Sequence, residues 1–351
     1  MLKYLIQVIA SSLAAGLLVA SVFTLASRNA DSKRCVYGRL ACGGAIGILA
    51  ALVLAVLRHE TKLINREQIN IILLPALIIM GAVLIVLTLW SVRKVSPPIY
   101  PKVLGLAGGF FIALLFFYHL PDVFLYTTEF LAAGESIFST DFLFKVIGYT
   151  AGLAVVCLTA VALFQSGTHL SEKTAGICFA VGLFVNILNE AAGLVQILLA
   201  RRIIPMTDWL FRLIQPLINH SAFFLYAILL ATLVIPAVLW ILSWHPKDSF
   251  SNPAEHRKIK ARSRRQRRWS VMVACGYIAA VLCLTVVKSY NEHEVVLSPA
   301  EPMDIVGAEI RIPLENVNDG RLHRFAYITE DGTEVRFIVI KKNESSYGVG
   351  L

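Results

Sequence analysis

Eight apolar runs constrain this chain more than anything else in it. They lie at approximately 4–26, 38–57, 69–90, 103–120, 144–164, 176–199, 222–243 and 270–287. About 20 apolar residues in a helix cross the roughly 30 Å hydrocarbon layer of a bilayer. Inside that layer every backbone amide needs an internal partner, which selects helices over open strands. The mean hydropathy of +0.70 and the 57% hydrophobic content exclude an ordinary soluble domain. The expected fold is therefore an all-α polytopic membrane bundle of about eight transmembrane helices over residues 1–288. A small β-rich extracytoplasmic domain is expected over 289–351.

Charge orients the bundle. Residues 245–268 hold nine Lys/Arg against Asp248 and Glu255, which accounts for +7 of the net +9. A basic segment between two apolar spans is the positive-inside signature and reads as a cytoplasmic loop, not as a nucleic-acid footprint. Counting spans outward from it places both ends of the chain outside. The connections then expected inside carry seventeen Lys/Arg, including Arg28, Lys33, Arg34, Arg39, Arg93, Lys94, Lys102 and Lys173, whereas the outside ones carry six. The first span, with Lys3 before it, also admits a signal-peptide reading. Against that, its apolar stretch is long, basic residues crowd behind it, and losing one span would flip the tail. The same basic segment also admits a lipid-headgroup or partner role.

Cys35, Cys42, Cys157, Cys178, Cys275 and Cys283 show no Cys-x-x-Cys or metal-ligand spacing. They are expected to pack as small hydrophobes.

Ionisable groups at membrane depth are functional suspects. In the sixth span, Asn186, Asn189 and Glu190 stand at i, i+3 and i+4, on one helical face. They are the expected cofactor-binding or midplane site. The alternative is that they act as interhelical hydrogen-bond glue. His119, closing the fourth span in Tyr118-His119-Leu120-Pro121-Asp122, and His220, opening the seventh, fall on the same side of the bundle. With Glu190 they form a candidate metal or proton-transfer set. The alternative for each histidine is contact with headgroups and water. Asp122, Glu129, Glu135 and Asp141 connect spans four and five without a Lys or Arg before Lys145. They read either as a funnel for cations or as a solvated loop. Residues Ile203–Asn219, with Trp209, Phe211 and Arg212, read as an amphipathic helix lying in the outer interface and broken near Pro216.

The tail turns acidic, with eleven Asp/Glu against six Lys/Arg over 289–351. Val306 to Ile312 alternates as a strand. His323–Ile328 and Val335–Ile340 flank Asp331-Gly332, a hairpin signal. So small a set of strands makes a marginal core, and the tail has no cysteine to staple it.

Three segments of this tail carry a family resemblance: Asp319-Gly-Arg-Leu-His-Arg-Phe-Ala-Tyr327, Asp331-Gly-Thr-Glu-Val-Arg-Phe-Ile-Val-Ile-Lys-Lys-Asn343 and Tyr347-Gly-Val-Gly-Leu351. Together they resemble the Fe-S-containing bacterial membrane protein family, specifically over 319–351 and more loosely, by span count and order, elsewhere. In that family a multi-span bundle carries an extracytoplasmic C-terminal domain. After the Tyr-Gly-Val-Gly-Leu stretch the members continue into Asp-Ala-Cys-Glu-Ile-Cys and a second cysteine pair. This sequence stops before those cysteines, so the domain is expected to be partial as given. A chain boundary, a frameshift or a recoded stop codon would each produce that ending.

The resemblance implies a bacterial inner-membrane location and an accessory, redox role in iron uptake. It implies an Fe-S or other metal centre as cofactor, with an iron permease and a periplasmic iron-binding protein as partners. The residues themselves leave two alternatives, a small-solute or cation transporter using the sixth-span site and a non-catalytic scaffold for a transport complex. No internal repeat supports the transporter. No nucleotide loop, nucleophile elbow, metalloprotease motif or haem-attachment motif is present.

Overall fold

A computed structural model divides the chain into two compact units, Met1–Asn291 and Glu292–Leu351. It describes all residues except 29–32, 62–64, 94–98, 131–138, 206, 220–221, 245–251, 292–300, 302, 307–308, 319–320, 329–333, 344–345 and 351.

Among the described residues the first unit contains eight helices long and apolar enough to cross a membrane. They are α1 (Leu2–Ala26), α2 (Lys33–Thr61), α3 (Arg66–Val92), α4 (Tyr100–Leu125), α5 (Thr140–His169), α6 (Glu172–Ala200), then, beyond the shorter α7 (Asp208–Asn219), α8 (Ala222–Trp244) and α9 (Pro253–Leu282). A π-helical turn, Cys283–Val287, carries the last of them into α10 (Lys288–Asn291). Three of the helices, α3, α5 and α6, start on side-chain caps. Asn65 Oδ1 accepts from the Glu67 amide at 2.9 Å, Ser139 Oγ from Phe142 at 3.2 Å and Ser171 Oγ from Thr174 at 3.3 Å.

Two expectations change here. The basic segment is helical from Pro253 onward, forming the first half of α9 instead of a loop; its residues 245–251 lie outside the described part. Pro253 at the first helical position and a run of Lys, Arg, Gln and Ala explain why. Likewise Pro216 sits within α7 and does not end it.

α1 is the axis of the bundle. The share of its apolar window that is buried is 67%, against 22–44% for the other seven spans. Its buried hydroxyls turn back on their own helix: Ser12 donates to the Val8 carbonyl at 2.6 Å, Ser21 to Leu17 and Thr24 to Ala20, both at 2.8 Å. Helices α1 and α5 run parallel in close contact, as do α2 and α4, while α3 lies antiparallel to α6. Glycine sets the α2–α4 distance. A Cβ at Gly47 would lie 2.7 Å from the Ala113 carbonyl oxygen, and one at Gly109 would lie 2.7 Å from that of Arg39. Gly43-x-x-x-Gly47 and Gly105-x-x-x-Gly109 are thus small-residue seams.

Helix α6 stops in a Schellman turn, with the Ile203 amide donating to Leu198 and the Arg202 amide to Leu199, both at 2.9 Å. Arg202 takes the left-handed position, at φ 57°.

In the second unit, β1 (Asp304–Val306) pairs with β2 (Glu309–Arg311). The single strand expected from Val306 to Ile312 is therefore divided between two antiparallel strands, with Val306 paired to Glu309 and Gly307-Ala308 outside the described residues. The strands β3 (Leu322–Ile328), β4 (Glu334–Asn343) and β5 (Ser346–Gly350) form an antiparallel sheet in that order. Phe325 pairs with Phe337 in the β3–β4 register, one residue away from what a two-residue Asp331-Gly332 turn would set, and residues 329–333 between the strands lie outside the described part. Val317, Phe325 and Val339 make the small core.

Candidate functional site

α6 brings two of the three expected residues together. Asn186 and Glu190 are each 2% exposed, and Asn189 is half-buried. Asn186 Nδ2 donates to Glu190 Oε1 at 2.6 Å, so this hydrogen bond stays within α6 and ties no second helix. Glu190 Oε2 is fully buried with no hydrogen-bond partner among the described residues. A buried carboxyl with one oxygen unmet costs free energy unless it binds a proton or a cation. The helix-glue reading does not account for that oxygen.

α6 lies along α3, with Gly193 against Leu74 and Ile187 against Gly81. In that register Glu190 sits level with Leu77, somewhat nearer the Arg201 end of α6 than the Glu172 end. Tyr118 on α4 stands one helical turn before Asp122, on the side of Arg66 and Asn70 of α3.

The acidic connection does not present bare carboxylates to cations. Asp122 is gripped by Arg58 at 3.1 Å and by Arg66 at 2.6 Å. Glu129 pairs with Lys3 at 3.0 Å and Asp141 with Lys145 at 2.5 Å, while Glu135 lies outside the described residues. Arg201 and Glu67 close the same end at 3.1 Å. Between Arg58, Arg66, Asn70 and Tyr118 is a cavity of about 10 Å³, room for one water.

His119 turns elsewhere. Its ring meets Tyr118 edge-on at 4.8 Å and reaches the Ser11 backbone on α1. His220 lies outside the described residues. Among the described residues no group of three or more His, Cys, Asp and Glu stands ready to hold a metal ion.

At the opposite end, Arg28 donates to the carbonyls of Gly167 at 3.0 Å and Leu170 at 3.4 Å, bracing the α5–α6 turn. Burial pulls its guanidinium below the ordinary arginine value, and Glu172, which accepts from Ser91, acts the other way. The six cysteines are unpaired and scattered over α2, α5, α6, α9 and the π turn, and none belongs to Glu292–Leu351. The residues of this chain therefore do not supply the clustered thiolates of an iron–sulfur centre.

Residue patterns alone did not reveal the Arg58–Asp122–Arg66 clamp or Tyr118. The available signal was Tyr118 four residues before Asp122, on one face of α4.

By the length and composition of its helices this is a multi-pass membrane protein, suited to a lipid bilayer. Beyond that class, no protein-family model matches the chain, and neither the curated proteins nor the solved structures give a match.

Proposed function

We propose that this chain is an accessory membrane subunit of a bacterial iron uptake system, handling electrons or thiols on the extracytoplasmic side. The observation that carries the reading is the placement of its resemblance. The segments that resemble the Fe-S-containing bacterial membrane protein family are the strands of one folded sheet, Leu322–Ile328, Glu334–Asn343 and Ser346–Gly350. In this reading the bundle lies in the inner membrane with the basic half of α9 in the cytoplasm. An iron permease and a periplasmic iron-binding protein are the partners, and the thiolates of any metal centre come from outside this chain's own residues.

The test is the intact mass of the native C-terminus, with iron and thiol content measured on the same preparation. Cysteine-containing sequence beyond Leu351 together with bound iron or redox-active thiols is expected. A native end at Leu351 with neither would sink the reading. A second reading, transport of a small solute or cation through the bundle, is favoured by the unpartnered oxygen of Glu190. Uptake into vesicles containing only the purified protein would select it.

A further inference from the structure

Helices α8 and α9 run antiparallel and are joined at three levels along part of their length. The Arg267 guanidinium lies 4.7 Å over the Trp244 ring, Ser270 Oγ donates to the Pro236 carbonyl, and the hydroxyls of Tyr277 and Thr232 meet at 2.6 Å. All three joins lie at Tyr277 or on its Trp244 side. Past Tyr277 the π turn Cys283–Val287 packs the end of α9 on α1 instead.

Where the two helices part, an apolar cleft of about 450 Å³ opens between Tyr226–Leu233 of α8 and Ala274–Leu282 of α9. Leu229 and Tyr277 are each 5% exposed and form its floor, while Leu230, at 69%, and Ile278, at 59%, stand at its rims. Both helices are membrane spans, so the cleft opens sideways into hydrocarbon. At 1.5 Å per residue it is about 12 Å long, close to one leaflet's half of the roughly 30 Å layer. Spread over that length, its volume makes it about 6 Å across, too narrow for a helix of roughly 10–12 Å.

Its chemistry is as selective as its width. Among the described residues no charged side chain lines it. Thr232 gives its proton to the Ile228 carbonyl at 2.8 Å, so the proton between Thr232 and Tyr277 is the phenol's, and neither hydroxyl keeps a donor for a ligand. A quinone or other carbonyl-bearing ring would find no hydrogen bond on that floor, and water would find few partners. An alkyl chain needs none. The cleft is also fixed in place, because α9 is anchored on α5: a Cβ at Gly276 would overlap the Thr159 hydroxyl.

We propose that the cleft holds one acyl chain of a phospholipid from the adjoining leaflet, seated between α8 and α9 as a resident part of the bundle. Its terminal methyl end rests toward the Tyr277–Thr232 pair and its headgroup lies beyond Tyr226, where α8 nears its start. The site is independent of both functional readings given above.

The experiment places the full chain in vesicles of phosphatidylethanolamine and phosphatidylglycerol, doped with a phosphatidylethanolamine that carries a diazirine midway along one acyl chain. On irradiation the diazirine loses N2, and the carbene inserts into a neighbouring C–H or O–H bond, which mass spectrometry locates. Label on Tyr226–Leu233 and Ala274–Leu282 is expected to exceed severalfold that on the α3 segment around Ile72, which is 78% exposed but lies outside the cleft. Ile278→Trp, or the milder Leu230→Phe, should fill the cleft and lower its label severalfold, while Ile72→Trp changes it less than twofold. Even labelling of all lipid-facing spans in the unsubstituted chain would overturn the proposal, leaving ordinary boundary lipid. Displacement of the label by an equimolar isoprenoid benzoquinone, or cross-links joining these residues of two copies, would overturn it in favour of those occupants.

Discussion

Arg202 holds φ at 57°, a conformation that costs a side-chain-bearing residue roughly 1–2 kcal/mol and glycine nothing comparable. Its amide and that of Ile203 close the end of α6, so the strain is local and the hydrogen bonds stay in place without the side chain. Arg202→Gly is therefore expected to raise the stability of the detergent-solubilised protein by about 1 kcal/mol, read as a higher thermal midpoint. Single residues were unevenly legible. Asn186 and Glu190 announced themselves through i, i+4 spacing in an apolar span, and the hydrogen bond between them follows from that spacing. The orphaned Oε2 did not, because satisfaction depends on what neighbouring helices present. Asp122 looked like a free anion for the same reason. Its partners, Arg58 and Arg66, sit on α2 and α3, and no spacing along the chain relates them to it.

At the scale of elements, the α2–α4 seam gives the sharpest contrast. A methyl at Gly109 would press on the Arg39 carbonyl, while one at Gly38 on α2 meets nothing within 4 Å. Gly109→Ala is expected to destabilise the bundle by about 1–3 kcal/mol, the usual cost of overpacking. Gly38→Ala should be neutral or slightly stabilising through helix propensity. Thermal unfolding of the two variants side by side checks both. The spans themselves were legible because apolar length alone marks them, and so was the β3–β4 pairing, from its alternating flanks. The β1–β2 hairpin was not, since Gly307-Ala308 interrupts an alternation that reads equally well as one strand. The helical first half of α9 is hidden in the sequence by its charge, which marks a side of the membrane, whereas Pro253 and the helix-favouring residues after it set the conformation.

Taken whole, the bundle has a basic end and a clamped end. Trypsin added to inverted vesicles is expected to cut within Arg257–Arg268, where Arg257, Lys258, Lys260, Arg262 and Arg264 are all exposed. In intact spheroplasts the same stretch should survive, and the opposite pattern would invert the orientation. Which helix lies against which was beyond the sequence, because spans that are apolar on every side say that they are enclosed but not by what. The position of α1 has a bearing on biogenesis. It leaves the ribosome well before its main neighbour, α5, which follows only after three more spans have been translated, on the order of ten seconds later at about 5–20 residues per second. During that wait α1 stands among lipid chains, not among helices. Ser12, Ser21 and Thr24 already satisfy themselves on their own carbonyls, so these three hydroxyls, deep in the span, are met while the helix waits. A span made long before its main neighbour is equipped to wait for it.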